Sequence, residues 1–302
     1  MTSRQNFGGF NSPGVVVVDK PKYLSSFDVV RQIRKKLAVK KVGHGGTLDP
    51  NATGVLVCLL NQATRLAFLV ENGIKRYECL IRFGIKTDTD DIWGELIEES
   101  GRSPTYEEVE QCLSDFCGEI WQVPPKVSAV KVGGKRAYSL HRRGESFEIN
   151  ARRVKIYELF VTPTDNPYLY KMSVSCGKGT YVRAIARDLG ERLGVGCCVA
   201  SIRRTYSSPF HECSCVPLDE IGRDKILPVD VLLPNYKRAV FGDRECELLR
   251  SGRQDVLVKS KRRLSELEKS GQKFAFYSTN ESGNVAGLLG KLNDKWSLLV
   301  NF

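Results

Sequence analysis

Hydrophobic positions along this chain follow several distinct spacings, and each names an element. Residues 15–18 are four consecutive valines, the pattern of a strand covered on both faces. Val29, Val30, Ile33 and Leu37 then recur at helical spacing, with Arg31, Arg34, Lys35 and Lys36 on the opposite face. Ser25 and Asp28 stand at the start of that run in the order of a capping box. Residues 55–60 are again continuously apolar, and residues 77–85 are rich in strand formers. Thr105 and Glu108 make a second capping box, followed on one helical face by Val109, Cys112, Leu113 and Phe116. Tyr170, Met172, Val174 and Cys176 alternate as a half-buried strand does. Val182, Ile185, Ala186, Leu189 and Leu193 mark a third helix. Strands and helices mix without a regular β-α-β rhythm. The expected fold class is therefore α+β, with a mixed, largely antiparallel sheet.

A boundary falls at residues 233–235, Leu-Pro-Asn, dividing a larger domain at 14–235 from a smaller one at 236–302. In the smaller one, residues 246–250 read as helix. Residues 273–277, 285–289 and 296–302 read as short strands, with turn signals at 280–284 and 293–294 between them. That pattern predicts a small β-barrel-like module. Residues 1–13 are polar and glycine-rich without an apolar core, so a short disordered arm is expected there rather than a signal peptide.

Composition narrows the partner. A chain of 302 residues with 41% hydrophobic content can bury a core, and its formal net charge of +11 calls for a polyanion, either nucleic acid or an acidic membrane surface. No stretch is apolar enough to span a bilayer, so a cytosolic protein is expected. Residues 131–155 hold eight Lys or Arg against two Glu, a net +6, interleaved with Tyr138, His141 and Phe147 and bendable at Gly133, Gly134 and Gly144. A mobile basic loop on phosphates fits this pattern; the alternative is a solvated hairpin whose charge does nothing specific. The ten cysteines contain no Cys-x-x-Cys pair. Cys213-x-Cys215 beside His211 does not have structural-zinc spacing. Cys79, Cys112 and Cys176 lie on apolar faces and read as buried, reduced thiols. No metal is expected.

Residues 43–56 carry the chemistry: Gly-His-Gly-Gly-Thr-Leu-Asp-Pro-Asn-Ala-Thr-Gly-Val-Leu. The glycines let backbone approach a ligand, and Pro50 pushes Asp49 into extended geometry. Asp49 then sits as a single acid at the rim of a packed element, placed to act as nucleophile or base. The other reading makes Asp49 the cap of a helix that begins at Pro50.

This segment resembles the central motif of the TruB family of pseudouridine synthases. Asp19-Lys20-Pro21 with Ser25-Ser26 resembles the family's first motif. Further matches follow in order: Lys75-Arg76-Tyr77, Arg82-Phe83-Gly84 with residues 87–90 (Thr-Asp-Thr-Asp), residues 125–131 (Pro-Lys-Val-Ser-Ala-Val-Lys) and residues 179–183 (Gly-Thr-Tyr-Val-Arg). One position departs: Tyr23 stands where the family usually has glycine. The resemblance implies a pseudouridine-synthase catalytic domain, a thumb-like insert at 131–155 and a PUA-like RNA-binding domain at 236–302. It implies an isomerisation that needs no cofactor and acts on a uridine flipped out of the stack.

For this chain it implies Asp49, Arg183 and Tyr77 as the catalytic set. Arg183 would pair with Asp49 and fix its direction; Tyr77 would lie under the target base and help move a proton. Whether Asp49 attacks C1′, attacks the base or removes a ribose proton stays open at this level. His44 would stack on or wedge at the flipped nucleotide, or else simply hold a turn. Tyr181 and Ile202 would wall the pocket or belong to the core, and Lys20 would bind phosphate or orient its loop. Arg142, Arg143, Arg152 and Arg153 would grip RNA outside the Asp49 site.

Three functions compete on these grounds. The first is a stand-alone, monomeric tRNA pseudouridine synthase that acts on the T-loop uridine (uridine-55), with the T arm as partner and neither guide RNA nor membrane. The second is a guide-RNA-dependent synthase subunit, against which the insert at 131–155 speaks. The third is a non-catalytic tRNA-folding or RNA-binding protein, against which the presence of Asp49 speaks.

Overall fold

In the computed structural model, which describes residues 10–280 and 284–302, the valine run lies inside the strand Gly14–Lys20. Every residue of that strand except Asp19 is buried. Residues 1–9 of the expected arm and residues 281–283 of the expected turn at 280–284 lie outside the described residues.

The strand Gly14–Lys20 runs antiparallel to Thr53–Leu60, which pairs in parallel with Cys197–Ser207. From there the sheet continues antiparallel through Lys75–Phe83, Leu169–Cys176, Arg152–Pro163 and Gly118–Gln122. Val216–Pro217 adds a parallel edge, and Val42–His44 and Phe210–His211 pair alongside, giving ten strands. The mixed, largely antiparallel sheet expected from the sequence is present.

Alternation in the central strands sorts residues onto two cores. One face meets the helices Ser26–Leu37, Tyr106–Leu113 and Val182–Arg192: Val16, Val18, Leu56 and Met172 pack with Val29, Ile33, Val109, Ile185 and Leu189. Ser25 and Thr105 cap the first two helices with full capping boxes, each worth about 1 kcal/mol. The opposite face, with Val15, Val17, Val55 and Val57, packs against Phe210 and Leu232 and also against Phe276, Leu288 and Val300. The C-terminal strands thus sit on the back of the main sheet, across from the helices.

Those strands are Ala239–Val240, Phe274–Ser278, Gly287–Leu292 and Lys295–Asn301, in that order. Among the described residues they form an open sheet and do not close into the barrel expected from the sequence. Its second cover is helical: Asp243–Arg250, Asp255–Lys259 and Lys261–Lys269 bury Cys246, Leu249, Leu264 and Leu267 against Tyr277 and Leu289. The last two helices escaped the sequence reading because Asp255–Lys259 is too short to show a helical period and Lys261–Lys269 has only Leu264 and Leu267 among charged and polar residues.

Where Thr53–Leu60 and Cys197–Ser207 run in parallel, Gly54 lies opposite Arg204. Gly54 has φ +100°, and a Cβ there would meet the Arg204 carbonyl oxygen at 2.2 Å. Gly54→Ala is expected to lose about 2–4 kcal/mol of stability, from backbone strain plus forced strand separation. A urea midpoint equal to that of the parent protein would show that the two strands part at no cost.

Candidate active site

Asp49 lies in the turn that joins the strand Val42–His44 to Thr53–Leu60. No helix starts at Pro50, so the helix-cap reading of Asp49 is excluded. Instead the turn is clamped from beneath. The buried Ser26 hydroxyl accepts the Leu48 N–H at 2.8 Å and donates to the Leu48 carbonyl at 3.0 Å. Ala52 N–H donates to the Asp49 carbonyl at 3.0 Å. Gly45 permits the close approach, since a Cβ there would meet Val70 Cβ at 2.3 Å.

The Asp49 carboxylate is held by a buried guanidinium. Arg183 Nε donates to Asp49 Oδ2 at 2.8 Å, Nη1 to the Thr89 carbonyl at 2.6 Å and Nη2 to the Val127 carbonyl at 2.9 Å. Burial pulls the Arg183 pKa down, but Asp49, Asp91 and Asp90 together outweigh it, and the net shift is upward. Arg183 stays in place because the residue before its helix is tied twice: Gln122 Oε1 accepts the Tyr181 N–H at 2.8 Å, and Gln122 Nε2 donates to the Tyr181 carbonyl at 3.1 Å. Asp49 itself is open, with 42% of its side chain exposed.

The exposed side of Asp49 faces a cleft of about 580 Å³ lined also by Tyr77, Tyr181, Arg183, Ile202 and Arg204. Tyr77 is buried, and burial pushes its phenol pKa up, partly countered by Arg204. Burial likewise raises that of Tyr181. Arg204, fully buried, donates from Nε to the Val55 carbonyl at 2.7 Å and from Nη2 to the Gly46 carbonyl at 3.1 Å. The cleft therefore has two tyrosines and Ile202 in its lining, two buried guanidinium groups, and two acids, of which Asp49 is the one held by Arg183 and the other, Glu71, is exposed.

Of the residues singled out in the sequence, Asp49, Arg183, Tyr77, Tyr181 and Ile202 come together in this cleft. Lys20 does not reach it as a phosphate ligand. Its side chain is wholly buried, and its ammonium donates to the carbonyls of Pro21, Leu24 and Pro50 at 2.8, 2.6 and 3.2 Å. Burial lowers its pKa to about 8 against the pull of Asp49. Of its two readings, only the loop-orienting one fits. His44 is not among the cleft-lining residues; its Nδ1 accepts the Gly46 N–H at 3.3 Å, as a residue holding the turn does. Burial, and then Arg204, lower its pKa, which favours the neutral ring that this hydrogen bond needs.

The insert at 131–155 also differs from expectation. It contains a two-strand hairpin at Lys131–Val132 and Lys135–Arg136 and the helix Ala137–His141, whose Ala137 and Leu140 are buried. His141 Nε2 lies 3.4 Å from Asp88 Oδ2. Arg142 and Arg143 are exposed on it, with Arg143 paired to Glu145 at 2.8 Å. Arg152 and Arg153 belong to the main-sheet strand Arg152–Pro163, and both line the cleft that holds Asp49. They are thus not outside the site. Sequence reasoning missed Arg204, Gln122 and Ser26. The signal for Arg204 was a charged residue in a strand-forming run and that for Ser26 its place in the Ser25-Ser26 motif, to which no role was given; Gln122 offered none.

Residues 34–182 match the model for the TruB family pseudouridylate synthase N-terminal domain, and residues 183–233 match that for the tRNA pseudouridylate synthase B C-terminal domain. The chain is 38% identical over 260 residues to the tRNA pseudouridine synthase B of Clostridium tetani, covering 84% of this chain and 89% of that protein. To the tRNA pseudouridine synthase B of Symbiobacterium thermophilum it is 42% identical over 250 residues, covering 81% and 83%. Among solved structures, a Cbf5–Nop10–Gar1 complex matches with TM-score 0.61 at 28% identity, covering 79% of this chain and 67% of that one. An H/ACA RNP bound to a substrate RNA containing 2′-deoxyuridine matches with TM-score 0.63 over 95% of this chain and 83% of that one. At 21% identity, that second match concerns the fold alone.

Arg183→Lys keeps the charge but cannot make three divergent N–H bonds. It is expected to lose about 2–4 kcal/mol of stability, because the Thr89 and Val127 carbonyls lose their donors. Urea unfolding at neutral pH checks this, and a loss below about 1 kcal/mol would mean that water or another donor replaces the fork.

Proposed function

Because the chain belongs to the TruB family of pseudouridine synthases, we propose that it isomerises the T-loop uridine (uridine-55) of tRNA to pseudouridine, with Asp49 at the reacting centre. The observation that carries this reading is the Asp49 carboxylate, held on one side by buried Arg183 and open on the other to a cleft floored by Tyr77.

The reaction breaks the N1–C1′ bond, rotates the uracil and joins C5 to C1′. The C5 proton leaves and N1 gains one, so substrate and product are isomers and no oxidant or reductant enters. The target base has to leave the stack to reach the cleft. Tyr77 would lie against its face, and Tyr181 and Ile202 would exclude water around it. Arg183 sets which oxygen of Asp49 is engaged and which is free. Burial favours the neutral phenol of Tyr77, whose hydroxyl can then donate a hydrogen bond to the base. Arg152, Arg153 and Lys178 at the cleft would meet the phosphates flanking the flipped nucleotide.

The net +6 of residues 131–155 supports direct contact with RNA and hence action without a guide, as a monomer on the tRNA T arm in the cytoplasm. Among the described residues no helix is long and apolar enough to cross a membrane. The C-terminal sheet would serve as a PUA-like RNA-binding domain at 236–302.

Asp49→Asn preserves size but removes the nucleophile or base. It is expected to abolish pseudouridine formation on an unmodified tRNA transcript while leaving tRNA affinity within a few-fold. Product at near the parental rate would sink the assignment.

The insert is tested by Arg142→Ala with Arg143→Ala, since Arg152 and Arg153 lie at the cleft itself. Affinity should fall across all tRNAs, and the slope of log affinity against log salt should flatten by about two units. An unchanged slope would show that these two side chains touch no phosphate.

A further inference from the structure

Tyr23 occupies a backbone conformation that tyrosine avoids. Its φ is +71°, in the left-handed region that favours glycine. A bulky residue there is strained, and such strain persists where the side chain serves a purpose. Yet the Tyr23 ring is not packed into the core: it is 66% exposed. It meets one other large ring, Trp93, itself 53% exposed, edge to face at 5.9 Å and 88°. The Lys22 ammonium sits over both, 5.3 Å from the Tyr23 centroid and 4.9 Å from that of Trp93.

Both rings hang from the loops that hold the proposed catalytic pair. Tyr23 N–H donates to the Pro50 carbonyl at 2.8 Å, one residue after Asp49. Trp93 N–H donates to Asp91 Oδ1 at 3.0 Å, and the other oxygen of Asp91 lies 3.9 Å from the Arg183 guanidinium. Two perpendicular aromatic rings, exposed on their outer sides and carrying a cation, are thus tied through their backbones to the segments beside Asp49 and Arg183, outside the lining of the cleft itself. That is the chemistry that receives a purine or pyrimidine ring together with its phosphate.

We propose that Tyr23 and Trp93 form a stacking platform for an unpaired base of the RNA beside the nucleotide that enters the cleft, with Lys22 against its phosphate. This rests on the reading of the protein as an RNA pseudouridine synthase. It adds a contact that a glycine at position 23 could not make.

The test uses the full chain and a T-arm hairpin, in a set where each loop nucleotide in turn is made abasic. Tyr23→Gly relieves the backbone and should fold at least as stably as the parent. It and Trp93→Ala should each bind the hairpin about 5- to 30-fold more weakly, with the loss in KM rather than kcat. Tyr23→Phe should bind as the parent does. One abasic position should weaken the parent by a similar factor and erase the difference between the parent and Trp93→Ala. Parental affinity in both Tyr23→Gly and Trp93→Ala, or no abasic position that couples to them, would overturn the platform while leaving the enzyme reading intact. Absence of pseudouridine in the hairpin with the parent protein would overturn the enzyme reading and the platform with it.

Discussion

The placement of the whole site depends on one buried guanidinium. Arg183 reaches from the first turn of its helix to Asp49, Thr89 and Val127, which come from three separate segments. A guanidinium cannot shed its proton, so once taken from water it must find acceptors in fixed directions. Its three N–H bonds supply them, and Asp91 at 3.9 Å adds charge. Because each partner belongs to a different loop, satisfying the arginine also fixes the loops relative to one another. The half-exposed acid therefore has a defined direction without being buried itself.

The second constraint is electrostatic. Lys20 and Arg204 are buried around the turn that carries Asp49, Lys75 is buried beside residues 70–73, and each spends its N–H groups on backbone carbonyls. Lys75 donates to Val70 and Gly73 at 3.0 and 2.8 Å and to Glu71 as well. Burial takes both lysines to about 8, so near neutral pH they are still mostly protonated. Carbonyl dipoles stabilise these cations without cancelling their charge, as carboxylates would. The result is a cleft with positive charge beneath its surface and, at Asp49, a carboxylate anchored by a guanidinium, a field suited to a polyanion whose sugar must approach an acid.

What could be read in the sequence was whatever repeats or stands in order. The capping boxes at Ser25 and Thr105, the alternation from Tyr170 to Cys176 and the helical spacing from Val182 all lie within a few residues, where geometry is local. Asp49, Arg183 and Tyr77 were legible because each sits in a dense motif, although nothing local could place them in one cleft. Gln122 was invisible, and Ser26 visible only as a motif position without a role, because their work is done on backbone atoms distant in sequence. Arg152 and Arg153 were misassigned because charge counts do not register strand pairing: opposite Gln122 and Trp121 they belong to the sheet, however basic their neighbourhood. The helices after residue 254 were hidden by shortness and composition, since four or five apolar residues suffice when a sheet already offers a face.

The parallel pairing at Gly54 and Arg204 joins these threads. Most of the sheet is antiparallel and could tolerate a shift of one strand at its edge. The parallel contact between Thr53–Leu60 and Cys197–Ser207 lies instead at the centre, and it brings Arg204 beneath the turn that carries Asp49 while the register with Lys75–Phe83 sets Tyr77 opposite Arg204. Gly54 makes that approach sterically possible, and the carbonyls of Val55 and Gly46 make it electrostatically tolerable. The floor of the site is thus part of the sheet, whereas its rim is built from loops. A loop residue such as Tyr23, at φ +71°, can carry local backbone strain because the sheet beneath does not have to move with it.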